Sequence, residues 1–370
     1  MFDIPFLRPK LVVKEDYIDY LKQIDDSRSY TNYGALNTSF EQQLIHDLFQ
    51  DEGHAVTVNN ATTGLILAIS QIKRPGKYAL MPSFTFAATP LAAMWCGLEP
   101  YFIDVNDRNW CMNEELLEQV IQQLGDEVAV VVPYATFGTN METKYYEALQ
   151  ERNIPVVIDA AASIGSRLNQ HFGQGFSGAV VFSFHATKGF GIGEGGLIYS
   201  SDKEMINRVR QASNFGFNED RESMQRGLNG KVSEYAAAIG LATLHVFHEK
   251  KRMREQIYDW YMEEIEQMGL LDLGWQLQEV RGSVAYSFLS LLCPEKSSNA
   301  YFVQKLAKQG IQARTYFTPS CHKQTAFQYY PRTSLHVTEQ IGSRIINLPL
   351  WEDMDQGHVQ KILRGLSHEG

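Results

Sequence analysis

The 370 residues exceed one typical domain, and with 44% of them hydrophobic the chain can bury a substantial core, so one large and one smaller unit are expected. A formal net charge of -10 argues against nucleic acid or an anionic membrane as a partner, since both demand clustered Lys and Arg; an anionic substrate must be held by local donors. Cys96, Cys111, Cys293 and Cys321 stand far apart, with no CxxC pair and no spacing that suggests a metal site or disulfide framework. The start MFDIPFLRPKLVVKEDY has acidic residues and a proline where a signal peptide needs an apolar stretch, and no later window offers a membrane-length apolar run. A soluble protein in a reducing, cytoplasmic setting is the simplest expectation.

In chain order, a polar helix is predicted from about Glu15, then a Tyr/Asn/Gly turn over 30–36 and an amphipathic helix over 39–49. Seven short apolar runs follow, at 55–58, 78–81, 101–105, 128–133, 156–159, 179–184 and 196–200, alternating with helical segments. That pattern predicts an α/β fold with a mostly parallel seven-stranded sheet flanked by helices. Ligands of such sheets lie beyond the carboxyl ends of the strands, and here the residues after each run are polar. A long helix over 233–268 should connect this core to a smaller α+β unit with strands near 283–293 and 312–316. The division is expected near 245, into a large unit of 1–245 and a small one of 246–370, with no internal repeat and no long linker.

The stretch AVVFSFHATKGFGIGEGGLIYS is the most informative: a strand delivers Ser183 and His185, a loop carries Lys188, and a second strand begins after a glycine cluster. The glycines permit sharp turns and close approach to a flat ligand. Read as a dinucleotide fingerprint, the cluster follows no early strand and opens no helix; read as a Walker loop, its lysine precedes the glycines. A solvated loop lysine is the default reading. Against it stands IPVVIDAAASIGS, a strand ending in Asp159. Alone, that Asp reads equally well as a helix N-cap. Together the two fit pyridoxal phosphate (PLP), whose chemistry needs a lysine anchor and an acidic partner for the pyridine nitrogen.

The blocks MPSFTFAATPLAAMWCGLEPYFIDVN, FSFHATKGFGIGEGG, GLNGKVSEYAAAIGLATL and TYFTPSCHKQTAF, in that order over nearly the whole chain, resemble the nucleotide-sugar aminotransferase family (DegT/StrS type) of fold-type I PLP enzymes. The resemblance implies that Lys188 anchors the cofactor and shuttles the proton, that Asp159 keeps the pyridine nitrogen protonated, and that Phe86 stacks on the ring. It further implies a phosphate site from Ala61, Thr62 and Ser183, with Asn229 reaching in from the other subunit of a homodimer. Two departures stand out: Ala162, where many members carry Gln or His, and Lys231, where Arg is common. The implied reaction has two halves, with PLP cycling through pyridoxamine 5'-phosphate as glutamate gives its amino group to a nucleotide-linked keto sugar. A thymidine-diphosphate-linked 4-keto-6-deoxyhexose, as in the making of surface polysaccharide such as O-antigen, is the preferred acceptor; amination at carbon 3 or of a uridine-linked sugar is the alternative. Tyr33, His185, Tyr316 and His322 are the candidate sugar contacts, each balanced against a packed aromatic or a satisfied histidine. Three rivals are a dehydratase using pyridoxamine phosphate, a PLP-binding regulator and an NAD-dependent sugar enzyme. Against them stand the retained lysine, the lack of a DNA-binding extension and the missing early fingerprint.

Overall fold

The computed structural model describes residues 2–367; residue 1 and residues 368–370, the ends of the expected division, lie outside it. Along the chain lie α1 (Lys14–Ser27), α2 (Ala35–Phe49), β1 (His54–Val58), α3 (Ala61–Ile72), β2 (Tyr78–Pro82), α4 (Ala88–Trp95), β3 (Glu99–Ile103), α5 (Glu114–Leu124), β4 (Val128–Val131) and α6 (Lys144–Glu151). Then come β5 (Val157–Asp159), β6 (Ala179–Ser183), β7 (Gly196–Ser200), α7 (Lys203–Ala212), α8 (Glu234–Gln267), β8 (Gln276–Leu277), β9 (Phe288–Leu292), α9 (Asn299–Lys308), α10 (His336–Arg344), β10 (Ile345–Pro349) and α11 (Gln356–Arg364).

Strands β4, β5, β6 and β7 are buried at every position, as expected of runs covered by helices on both faces. The seven strands follow the order β3-β2-β4-β5-β6-β7-β1, with β4 and β5 joined by the bridges Val131 to Val156 and Tyr134 to Asp159. Strand β7 runs antiparallel to both neighbours, and the remaining pairings are parallel. The expected fold class therefore holds.

Helix α2 starts four residues before the expected position, and the cause lies far along the chain. Its N-cap, Gly34, has no side chain to cap with. Glu234, buried in the first turn of α8, accepts instead from the amides of Leu36 at 2.8 Å and Asn37 at 3.1 Å. A Cβ on Gly34 would lie 2.7 Å from that carboxylate, so a larger residue here would push the Glu234 side chain aside.

Helix α8 matches its expected span, with Ser233 capping the amide of Ala236 at 3.2 Å. It runs without a break through residue 245. Its first half packs Ala237, Leu241, Leu244 and Phe247 into the core around the sheet, while Ile257, Tyr261 and Ile265 enter a second core with Trp275, Leu289, Leu348 and the N-terminal Ile4. The smaller sheet has the order β10-β9-β8 and is antiparallel throughout.

The strand expected at 312–316 does not form. Gln312 and Arg314 make single ladder contacts to Ile4 and Asn347, and the Asn347 side chain then takes the Tyr316 amide at 2.6 Å, which ends the pairing. Between the two sheets, the buried Asp104 beyond β3 accepts from the amides of Val337 and Thr338 at 2.9 and 2.8 Å, capping α10.

Candidate active site

The carboxyl ends of β2, β5 and β6 bring together the two groups singled out from the sequence. Asp159, the last residue of β5, is 3% exposed. Its Oδ2 accepts from the Thr89 hydroxyl at 2.6 Å and its Oδ1 from the Ala161 amide at 3.2 Å. Burial pushes its carboxyl above the usual range, opposed by these hydrogen bonds and by the charge of Lys188. Lys188 lies in the loop after β6; burial lowers its ammonium and Asp159 opposes that shift. Among the described residues Nζ makes no hydrogen bond, and its electrostatic partner is the buried Asp159 carboxyl. An amine lowered in this way is suited to carrying a proton near neutral pH.

The loop is held from within. Phe184 and Phe190 pack at 4.9 Å, the Ile192 amide donates to the Phe184 carbonyl at 2.9 Å and the Ala186 amide to Gly193 at 2.8 Å, and the chain turns at Gly193 with φ +103°. Lys188 thus sits on an anchored turn whose own amide donates to His185 at 2.9 Å.

Ser183 faces Gly196 in register, and Gly196 lies against the start of α3: a Cβ there would stand 3.0 Å from the Ala61 amide nitrogen and 2.9 Å from the Phe182 carbonyl. Asn60 caps α3 by accepting from the Thr63 amide at 2.8 Å, so the amides of Ala61 and Thr62 have no partner within the helix. With the positive end of the helix dipole, this cradle has the character of a phosphate site. The donor set and the free lysine fit PLP.

Phe86 is 60% exposed at the mouth, 6.2 Å from the ring of Phe317. A wall of aromatics continues inward: Phe317 stacks on Phe137 at 5.5 Å and meets Phe84 and Tyr134 at 5.6 and 5.9 Å, and Phe137 reaches Phe288 at 5.1 Å. Phe137, Phe317, Tyr134, Thr85 and Thr89 were all missed by sequence reasoning. For the two threonines a signal existed in SFTFAAT, where residues 85 and 89 share a spacing of one helical turn.

The remaining candidates are more scattered. Tyr33 hydrogen bonds to Ser213 beneath the Arg210 guanidinium, 4.7 Å from its ring, and burial pushes its phenol up to about 12. His185 turns Nδ1 to the Thr187 hydroxyl at 2.8 Å, within its own loop. Tyr316 packs on Phe6 and Phe288, both at 5.7 Å. Both ring nitrogens of buried His322 are engaged, by Ser83 at 2.7 Å and Glu339 at 3.2 Å. None of these four side chains has a recorded contact with Lys188 or Asp159 among the described residues. Asn229 is exposed, its carbonyl meeting the Asn59 amide group at 3.5 Å just before α3 of the same chain. Ala162 is buried, and Lys231 donates to Asn214 at 2.6 Å. Among the described residues, no group of three or more His, Cys, Asp or Glu is placed to hold a metal, and no helix is long and apolar enough to cross a membrane.

Residues 12–367 match the model of the DegT/DnrJ/EryC1/StrS aminotransferase family. Among solved structures, a Bacillus cereus protein assigned as a PLP-dependent aminotransferase is 50% identical, with a TM-score of 0.98 over 99% of this chain and 100% of that one. Protein MT3510 of Mycobacterium tuberculosis is 33% identical over 97% of this chain and 88% of its own length. The dTDP-4-amino-4,6-dideoxy-D-glucose transaminase of Escherichia coli is 25% identical over 98% of this chain and 97% of its own.

Proposed function

The chain belongs to the DegT/DnrJ/EryC1/StrS aminotransferase family, and on that premise we propose that it transfers an amino group from glutamate to carbon 4 of a thymidine-diphosphate-linked 4-keto-6-deoxyhexose, with Lys188 and Asp159 as its catalytic pair. The protein is a PLP-dependent enzyme of the nucleotide-sugar aminotransferase kind. The observation that carries the reading of the site is the burial of Lys188, in the loop after β6, together with the Asp159 carboxyl at the end of β5, each within the other's electrostatic reach. The E. coli relative supports the choice of sugar.

Bound PLP supplies an electron-withdrawing ring that takes up the electron pair left when the substrate's C–H bond breaks. Asp159 holds the proton on the pyridine nitrogen, and its burial keeps water from competing for that bond. Lys188 would hold the cofactor through its Nζ and, once the donor's amine has taken its place there, would carry the substrate's proton at the same atom. The amides of Ala61 and Thr62 with the Ser183 hydroxyl bind the phosphate, and Phe86 covers one ring face. Asn229, exposed on its loop, reaches the phosphate of a second copy, so the working unit is a homodimer. The four free cysteines are all buried, which suits a cytoplasmic enzyme. Tyr33, His185, Tyr316 and His322 border the sugar; for His322 and Tyr33, whose polar atoms are already engaged, the contribution is shape.

The test is the absorbance of the purified protein with PLP, before and after glutamate, for the unaltered chain and for Lys188→Ala. A visible band of lysine-bound cofactor that glutamate bleaches, and that Lys188→Ala lacks, is the expected result. Absence of the band in the unaltered protein refutes the role of Lys188. A panel of keto sugars, with products read by mass spectrometry, then decides the acceptor; amination at carbon 3 or of a uridine-linked sugar alone would overturn the choice made here.

A further inference from the structure

A carboxylate as buried as Asp159 needs support to stay charged, and the structure shows where most of it comes from. The Thr89 hydroxyl donates to Oδ2 at 2.6 Å, and the Thr85 hydroxyl lies 2.9 Å from that of Thr89. Both threonines are fully buried. A hydroxyl that has given its one proton to a carboxylate can only accept from its other neighbour, so Thr85 is the donor in the second contact. The order is fixed: Thr85 to Thr89 to Asp159. The two threonines bracket Phe86, which points to the mouth, so one short segment presents the aromatic face and braces the carboxylate behind it.

We propose that Thr89, oriented by Thr85, is a positioning residue for the transamination, holding the Asp159 carboxylate charged and in a single orientation toward the cofactor's ring nitrogen. This rests on the reading of Asp159 given above. Without the Thr89 hydroxyl, only the Ala161 amide and the charge of Lys188 would oppose the cost of burial. The other titratable group facing Asp159, Tyr134 from beyond β4, is a buried phenol held neutral by burial and by the carboxylate itself, so it cannot substitute as a positive charge.

The experiment compares Thr89→Val, Thr89→Ser, Thr85→Val and Asp159→Asn in the full chain. The readouts are the PLP dissociation constant by equilibrium dialysis, and the single-turnover rate and half-saturation of the glutamate half-reaction across pH. Thr89→Val should slow the half-reaction by about 10- to 100-fold, the factor carried by one hydrogen bond to a charged group, and weaken PLP binding while leaving glutamate half-saturation nearly unchanged. Its acid limb should move to higher pH, because the carboxyl is then protonated more readily. Thr89→Ser should restore most of the loss, and Thr85→Val should show the same changes in smaller measure.

A Thr89→Val enzyme indistinguishable from the unaltered one, beside a crippled Asp159→Asn, overturns the proposal and leaves the role of Asp159 standing. An unimpaired Asp159→Asn overturns both. A loss in Thr89→Val that serine does not rescue, with no move of the acid limb, reduces Thr89 to a packing residue and also overturns it. Should Thr89→Val not fold, Thr85→Val decides on the same criteria.

Discussion

Gly196→Ala tests whether the meeting of β7 with the start of α3 shapes the cofactor cradle. The added methyl would stand 2.9 Å from the Phe182 carbonyl, 3.0 Å from the Ala61 amide and 3.1 Å from a Val58 methyl, whereas ordinary contact begins at 3.4 Å. Two of these three atoms are backbone and cannot rotate away, so β7 must part from α3 by about 0.4 Å, the difference between 3.0 and 3.4 Å, and from the β6 carbonyl by slightly more. Overpacking of this kind costs about 1–3 kcal/mol of stability. The displaced amide also belongs to the proposed phosphate site, and weakening one charge-assisted hydrogen bond by about 1 kcal/mol lowers PLP affinity about fivefold. Urea denaturation of the cofactor-free protein measures the first effect and a fluorescence titration with PLP the second. If stability falls but affinity is untouched, the strand does not act on the cradle. If neither changes, the close approach itself is refuted.

Glu234→Ala should cost about 2–3 kcal/mol in the same denaturation assay, because it leaves two buried amides at the start of α2 without an acceptor. A loss under about 0.5 kcal/mol, the usual range of surface substitutions, would show that α2 does not depend on this distant cap. His171, half-buried with Nδ1 unpartnered, has its imidazole pushed down to about 4 by burial and by nearby Arg167, Lys251 and His248. The folded state therefore binds fewer protons than the unfolded one between the ordinary value of 6.5 and about 4. Its contribution is complete above that window and is lost as pH falls through it, amounting to about 1–3 kcal/mol after allowance for partial exposure. His171→Leu should flatten the decline of melting temperature across that window, and an unchanged slope would refute the assignment.

The seven main strands were legible because each is a continuous apolar run buried on both faces, a signal that survives without knowledge of the partners. What lay hidden were relations between distant residues. The true start of α2 depends on a carboxylate 198 positions later, and the strand expected at 312–316 was lost to a side chain at 347. In the site, Lys188 and Asp159 each had an ordinary reading alone and stood out only as a pair, within blocks that resemble the family. Thr85 and Thr89 look like any helix-start threonines until the carboxylate they serve is brought beside them by the parallel sheet. His322 was visible as a residue, but its pairing with Ser83 and Glu339 was not.

Helix α8, 34 residues and about 50 Å long, also ties the two cores together as one rod. Its first half is bedded in the core beneath the lysine loop, and its second half, about 30 Å beyond Phe247, anchors the unit that carries Phe288. A tilt of about 5° about Phe247 would move the far end by roughly 2–3 Å over that length. Because one unbroken rod is bedded in both cores, the footing of the lysine loop and the packing around Phe288 share a single mechanical frame.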